Sequence, residues 1–396
     1  SPNVFFLGIV SLLTDISSEM IFTLVPLFLS NVLGVATTIV GLVGGLSDST
    51  DAIFRIFSGW FSDKIGRRKL LAMVGYTFST IVKPFMYLAT NWGAVLAIRF
   101  SDRVGKGVRS SPRDALLASS VLPHERGKGF GFHRAMDTTG ATLGLALAAI
   151  IIYLVQGGGL ELSLKSYQWL VLIGIIPAVL GVIVLLVFVR EKRGEEGLGS
   201  APKPGASMAK GGFDIRFKIF LAITAIFTLG RSSDFFVILR AQNLEVPLIQ
   251  VTLMLVLLNA TYAVTALPMG MLSDKLGRRR VIALGWFIYA LVYLSFALAS
   301  SLWQAWVLFA IFGVYQGMVE GVGRAFVADL VPEGRRGTAY GLYQGVTGLM
   351  LLPASLIAGW FWDVFNPSAP FYFGAGLAFL AMVGILALIK EPKRSP

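Results

Sequence analysis

The sequence predicts an all-α membrane protein: twelve transmembrane helices in two pseudo-symmetric six-helix bundles. Three observations predict it. Hydrophobic residues make up 55% of the chain and charged residues 14%, whereas soluble domains carry about 25% charged residues. So few charges cannot clothe a water-exposed surface. Apolar runs of about 20 residues, long enough to cross the hydrocarbon core, recur along the whole length. The second half also repeats the first, with "SDKIGRRK" at 62–69 returning as "SDKLGRRR" at 273–280.

The runs fall at 4–30, 38–61, 70–90, 93–112, 128–156, 166–189, 215–240, 248–271, 281–300, 303–329, 337–361 and 369–390. The first is apolar apart from Asp15 and Glu19. The second opens on close-set glycines and then carries Asp48, Asp51 and Arg55. The third holds Lys83, which must snorkel outward or reach a first-half carboxylate. The fourth carries a charged stripe, and the fifth starts polar and ends in "AAIIIYLV". The sixth, eighth, ninth and eleventh contain no charged residue. The seventh carries Arg231 and Asp234 near its middle, the tenth carries Glu320 and Arg324, and the twelfth is apolar up to Lys390. Charges are expected to drop the first, fourth, fifth, seventh and tenth below a strict hydropathy cut. Pro26, Pro84, Pro177, Pro268 and Pro353 lie inside spans and should bend them. The 44 glycines suit helices that approach closely in a membrane.

Residues 190–212, "REKRGEEGLGSAPKPGASMAKGG", are charged and rich in Gly, Pro and Ser, which reads as a flexible linker. The expected units are therefore a bundle at 1–189, a cytoplasmic linker at 190–214 and a bundle at 215–396. Loops after even-numbered spans concentrate Lys and Arg, whereas the opposite loops hold little beyond Lys165 and Arg240. That asymmetry predicts a multi-pass protein of the inner (plasma) membrane with both termini cytoplasmic. It accounts for the net charge of +12 without a nucleic-acid partner. The first apolar run reads as a retained span rather than a cleaved leader.

Several chemistries are excluded. There is no cysteine, and only His124 and His133 could offer imidazole, so no metal site is expected. No G-x-x-x-x-G-K-[ST] loop is present, and no nucleophile–base pair stands out. The chain is expected to need no cofactor, to be no enzyme, and to draw energy from an ion gradient.

The repeat extends beyond the octapeptides. "SGWFSDKIGRRKLLAMVGY" aligns with "MGMLSDKLGRRRVIALGWF" at an offset of 211, Trp92 then meets Trp303, and Arg113 meets Arg324. "SSEM" at 17–20 matches "SSDF" at 232–235, pairing Glu19 with Asp234. Six crossings return the chain to its starting side, so both halves share one topology around a midplane cavity. "GWFSDKIGRRK" resembles the loop 2–3 motif G-x-x-x-D-x-x-G-R-R/K of the major facilitator superfamily, and "GMLSDKLGRRR" resembles its second-half echo. "RFSDRVGKG" (99–107) is similar to the fourth-helix motif of proton-linked members. "GATLGLALA" (140–148) resembles the fifth-helix antiporter motif, with Leu145 where that motif has proline. The resemblance implies helices 1 and 4 of each half lining the cavity. It also implies a conformational latch at Gly59, Asp63, Gly66, Arg67, Arg68, Asp274 and Arg278, in which the aspartate meets the next bundle's helix end.

A charge at bilayer depth costs at least about 2.5–3.5 kcal/mol unless paired or hydrated, so those inside spans mark candidate function. Asp15 and Glu19 lie four apart and share a helix face, and Asp48, Asp51 and Arg55 share one on the second span. Arg99, Asp102, Arg103 and Lys106 form one stripe, which Arg109 and Arg113 continue. His133 and Asp137 are also four apart. Asp15, Asp48, Asp102 and Asp137 all fall near mid-depth; with helices 1 and 4 lining the cavity and 2 and 5 flanking it, as the resemblance implies, these four carboxylates are expected to converge on one wet site. Asp15, Glu19, Asp48, Asp51, Arg99, Asp102, Arg103, His133, Asp137, Arg231, Asp234, Glu320 and Arg324 are the candidates for proton coupling or substrate. Phe235, Phe236, Asn259, Tyr262, Tyr315, Gln316, Tyr343 and Gln344 are candidates for a second-half pocket. The expected activity is secondary transport: proton-coupled antiport exporting small amphiphilic organic compounds. A lipid or lysolipid flippase, and uptake of an organic anion clamped by Arg99, Arg103 and Arg231, are the alternatives. Expected partners are membrane lipids, a small-molecule substrate and protons or another coupling cation, with the chain acting as a monomer.

Overall fold

The computed structural model describes residues 2–65, 67–121, 126–190, 213–332 and 335–389. Twelve helical spans cross it, in the order expected. The span α1 runs Pro2–Val32, and α2 is Thr37–Ile65. Helix α3 is Arg68–Val82, continued by a tighter 3₁₀ segment Lys83–Leu88. Then come α4 (Trp92–Ser119), α5 (Arg126–Gln156) and α6 (Leu164–Phe188). In the second half, α7 spans Ile215–Asn243 in two pieces, Ile215–Gly230 and Phe235–Asn243. It is followed by α8 (Leu248–Leu276), α9 (Arg278–Leu298), α10 (Leu302–Leu330), α11 (Arg336–Val364) and α12 (Ala369–Leu388).

Nine of the described spans are long and apolar enough to cross a membrane; α2, α3 and α4 are not among them. This corrects the expectation drawn from charge alone. In α1, α5, α7 and α10 the charges leave a long apolar window, whereas in α4 they recur at every turn from Arg99 to Arg113. Pro26 and Pro84 sit where α1 and α3 depart from regular α-helix, but α4 continues past Pro112.

Small residues set the packing within each half. A β-carbon on Gly75 of α3 would lie 2.6 Å from the Gly105 carbonyl oxygen of α4, and one on Gly105 2.9 Å from the Gly75 carbonyl. Only glycine allows that backbone approach. Gly140 and Gly144, from the stretch resembling the antiporter motif, do the same for α5 against α1, at Leu12 and Ile16. The octapeptide cations cap helix ends: Lys69 donates to the Leu186 carbonyl at the end of α6 (3.1 Å), and Arg279 donates to the Ile389 carbonyl after α12. Both contacts place positive charge at a helix C-terminus, where it is favoured.

The halves meet along α2–α11 and α5–α8. On the face that bears the termini, Asn3 binds the backbone of Arg190 (2.7 and 3.0 Å). On the far face the halves are clasped. Asp363 accepts the backbone N–H groups of Thr37 (3.0 Å) and Thr38 (2.7 Å), and the Leu248 N–H donates to the Gly159 carbonyl (3.0 Å).

Candidate functional site

A cavity of about 520 Å³ lies between the halves, within the range of small-molecule sites. From the first half, α1 brings Asp15, Ser18, Glu19, Phe22 and Thr23. Helix α2 brings Asp48 and Asp51, and α4 brings Arg99, Asp102, Arg103 and Lys106. The second half brings Arg231, Ser232, Ser233, Asp234 and Phe235 from α7, Asn259 from α8, and Gln316 and Glu320 from α10. Seven carboxyl side chains and four cations line it, so the wall carries an acid surplus.

The break in α7 builds much of this wall. The helix stops at Gly230 and restarts at Phe235, and residues 231–234 all line the cavity. No proline causes the break. It is held by tertiary bonds: the Ser233 N–H donates to Ser355 Oγ (3.0 Å), Ser233 Oγ donates to Asp48 Oδ2 (3.2 Å), and Tyr289 Oη donates to the Gly230 carbonyl (3.3 Å). Irregular backbone at membrane depth is tolerated where it lines a cavity.

The charges are near one another but sparsely paired. Asp51 binds Arg55 at 2.9 Å, Glu19 accepts the Thr23 hydroxyl, and Asp102 accepts the Ser79 hydroxyl. Among the described residues, Asp15 has no hydrogen bond or ion pair, and Arg99, Arg103 and Lys106 have no ion pair within 4.0 Å. Arg99 is 1% exposed. Its guanidinium lies 4.6 Å from the Phe22 ring centre and 5.8 Å from that of Phe235, and its Nε and Nη1 lack partners. Cation–π contact offsets part of the cost of burying it.

Other expectations are corrected. Three of the four mid-depth carboxylates converge on the cavity, but Asp137 does not line it. It accepts the Ser11 hydroxyl and lies 3.5 Å from His133 Nδ1, in a cluster closer to the terminal face where Arg113 Nη1 reaches Ser11 Oγ at 3.4 Å. Helical spacing joined His133 to Asp137, but α5 turns their face toward α1. Lys83 neither snorkels nor meets a carboxylate within 4.0 Å: it is fully buried, donating to Ser17 Oγ (2.9 Å) and Ser18 Oγ (3.1 Å). Phe236 packs toward Trp362 and α2 instead of lining the cavity. Tyr262 stands at the rim, accepting from Arg134 of α5, whose Nη2 also lies 3.3 Å from Glu320. Arg134, Glu320 and Arg324 remain 55, 44 and 50% exposed at the side chain, so the cavity is wet toward the terminal face.

Of the latch residues, Gly66, the surroundings of Gly59 and the side chain of Asp63 lie outside what the structure describes. Arg67 and Arg68 start α3. Asp274 pairs with Arg278 (3.5 Å), and Arg278 with Asp329 of α10 (2.7 Å), so these described contacts stay inside the second half rather than bridging to the first.

Tyr315, Tyr343, Gln344 and Arg324 surround a second chamber of about 370 Å³, set among α7, α9, α10 and α11. It adjoins the central cavity through Arg231, Asp234, Gln316 and Glu320, which line both. This division was not foreseen from the sequence, and neither were Lys106, Ser18 and Ser233 as wall residues. A mid-span "RSSD" cluster was the available signal for the α7 break.

The chain and its fold are similar to known proteins. The family model described as Major Facilitator Superfamily matches residues 7–238 and 219–396. An uncharacterized MFS-type transporter of Methanocaldococcus jannaschii is 37% identical over 401 residues, covering 98% of this chain and 94% of that protein. The quinolone resistance protein NorA of Staphylococcus aureus is 29% identical over 128 residues, 32% of each chain. The crystal structure of the nucleoside transporter NupG superposes with a TM-score of 0.76 at 12% identity, covering 97% of this chain and 98% of that one. Fold, duplication and sequence agree: the chain belongs to the major facilitator superfamily, and it is a multi-pass membrane transporter rather than an enzyme.

Proposed function

We propose that this transporter exports small amphiphilic organic compounds against proton influx, by alternating access, from an inner (plasma) membrane in which both termini are cytoplasmic. The state of α1 carries this reading. Asp15 has no partner among the described residues and Glu19 holds only a threonine hydroxyl, yet both line the wet cavity one turn apart, beside Arg99 and Arg103. A carboxyl group that is not locked in an ion pair can exchange a proton when a neighbouring cation or a bound substrate changes its field. The acid surplus of the wall suits a substrate amine. The partial likeness to NorA supports drug-like cargo, and the basic loops on the terminal face support the orientation. The clasped far face and wet terminal side correspond, in this reading, to a state open to the cytoplasm.

A second reading, proton-coupled uptake of an organic anion, is favoured by one observation: the unpaired, buried guanidinium of Arg99. Proteoliposomes under an imposed pH gradient separate the two. Export predicts that an amphiphilic amine dye moves counter to protons, and that Asp15→Asn and Glu19→Gln each slow it by about tenfold or more. Parent-like rates in both variants would defeat the proton relay. Co-transport of an aromatic carboxylate with protons would favour the second reading.

A further inference from the structure

Two repeat-equivalent helices start on the far face without a cap of their own. Helices α2 and α8 begin at Thr37 and Leu248, separated by the repeat offset of 211. The residues before them are Ala36 and Pro247, and neither side chain can accept a hydrogen bond. The first N–H groups of a helix find no partner within it, and alanine is a poor residue at the capping position. In both helices the opposite half supplies the missing acceptor. Gly159, after α5, offers its carbonyl to the Leu248 N–H (3.0 Å). Asp363, in the last turn of α11, accepts the Thr37 N–H (3.0 Å), the Thr38 N–H (2.7 Å) and the Thr38 hydroxyl (2.7 Å).

The two caps differ in kind, because the Gly159 carbonyl is neutral and the Asp363 carboxylate is charged. Asp363 stands at the C-terminal end of its own helix, where the backbone field opposes a negative charge. Among the described residues it forms no ion pair within 4.0 Å. Its charge is met instead by the positive end of α2, through charge-assisted bonds. The joint is tight: a β-carbon on Gly359, one turn before Asp363, would lie 2.6 Å from Thr38 Cα. Asp363 therefore has these partners only while α11 and α2 touch at this face.

We propose that Asp363 is the far-face latch of the transporter: a helix cap lent by one half to the other, which holds this face closed and is given up each time the face opens. Opening strips the Thr37 and Thr38 bonds from α2 and leaves a carboxylate at the unfavourable end of its own helix, so the closed arrangement is preferred. The Gly159 cap on α8 is the neutral, weaker counterpart. This rests on the alternating-access reading for what the latch serves; the contact between the halves stands on its own bonds.

The test is a distance measurement across the far face of the full chain in liposomes. The chain has no cysteine, so Thr90→Cys and Ser300→Cys place one spin label on each half, at exposed far-face loops. Asp363→Ala should raise the ratio of long to short label distances by about tenfold. Thr37→Pro removes one N–H at a helix position that suits proline, and should raise the ratio by about threefold. Ala36→Asp, added to Asp363→Ala, gives α2 a cap of its own. Thermal melting should then return to the parent value while the far face stays as open as in Asp363→Ala. The proposal is overturned if Asp363→Ala and Thr37→Pro keep the parent distances. It is also overturned if Ala36→Asp restores the short distances, because Asp363 would then only stabilise a helix end. Proton-driven dye transport is measured separately. Its absence from the parent, with the far face opening in Asp363→Ala, would remove the export reading and leave the latch. Parent-like distances in both variants of an active transporter would remove the latch and leave export.

Discussion

The two halves of this transporter share one template and put different chemistry in the same places. At the repeat offset of 211, Lys106 and Arg109 of α4 correspond to Gly317 and Glu320 of α10. In the first half a charged stripe fills the bundle behind the cavity, with Arg109 stacked 4.4 Å over Tyr76. In the second half the equivalent region is an aromatic-walled chamber. The "SSEM" of α1 is continuous helix, whereas the matching "SSDF" of α7 is where the helix breaks. Duplication therefore placed the cavity on the pseudo-symmetry axis. Divergence at a few positions decided which wall carries charge and which carries rings.

The largest expected difference between repeat-equivalent positions is in packing. Gly105→Leu forces a side chain into the Gly75 backbone and should destabilise the protein by about 3 kcal/mol. Gln316→Leu clashes with no backbone but removes the side-chain hydrogen bond to Asp234, and should cost about 1–2 kcal/mol. Thermal melts in detergent compare them, and equal losses would mean the halves pack alike.

A smaller effect, opposite in sign, is expected at Arg99. Replacing an unpaired buried cation with an apolar side chain of similar length relieves desolvation, so Arg99→Met should raise stability by about 1–2 kcal/mol while transport falls. A destabilised Arg99→Met would show instead that the Phe22 and Phe235 contacts outweigh the burial cost.

The smallest effect is expected at the rim, where Arg134 bridges the halves to Tyr262 and Glu320. These side chains are about half exposed, and exposed ion pairs contribute at most about 1 kcal/mol. Arg134→Gln should shift unfolding by roughly 0.5 kcal/mol, a shift that shrinks further in high salt. A large, salt-insensitive loss would make the rim a structural joint between the halves.

The fold was readable because lipid leaves few options: twelve apolar runs, a repeat and a basic-loop asymmetry suffice to count and pair the helices. The grouping of Asp15, Glu19, Asp48, Arg99 and Asp102 was readable as well, since helical spacing reports shared faces. What spacing cannot report is which way a face turns. His133 and Asp137 were correctly joined to each other but face a different cluster. Lys83 looked obliged to reach lipid headgroups or a carboxylate, yet two serine hydroxyls of α1 hold it inside. The α7 break leaves no proline in the sequence because Asp48, Ser355 and Tyr289, from three other helices, hold it. The second chamber is lined from four helices at once, α7, α9, α10 and α11, and the spacing along any one of them does not report it.

The most direct measurement of the division of labour between the halves is proton release from the purified protein when a transported amphiphilic amine is added, followed with a pH indicator in weak buffer. Release in the parent that disappears when Asp15→Asn and Glu19→Gln are combined is the predicted result. Undiminished release from that double variant, still folded and still binding the amine, would contradict the assignment of proton coupling to the first half.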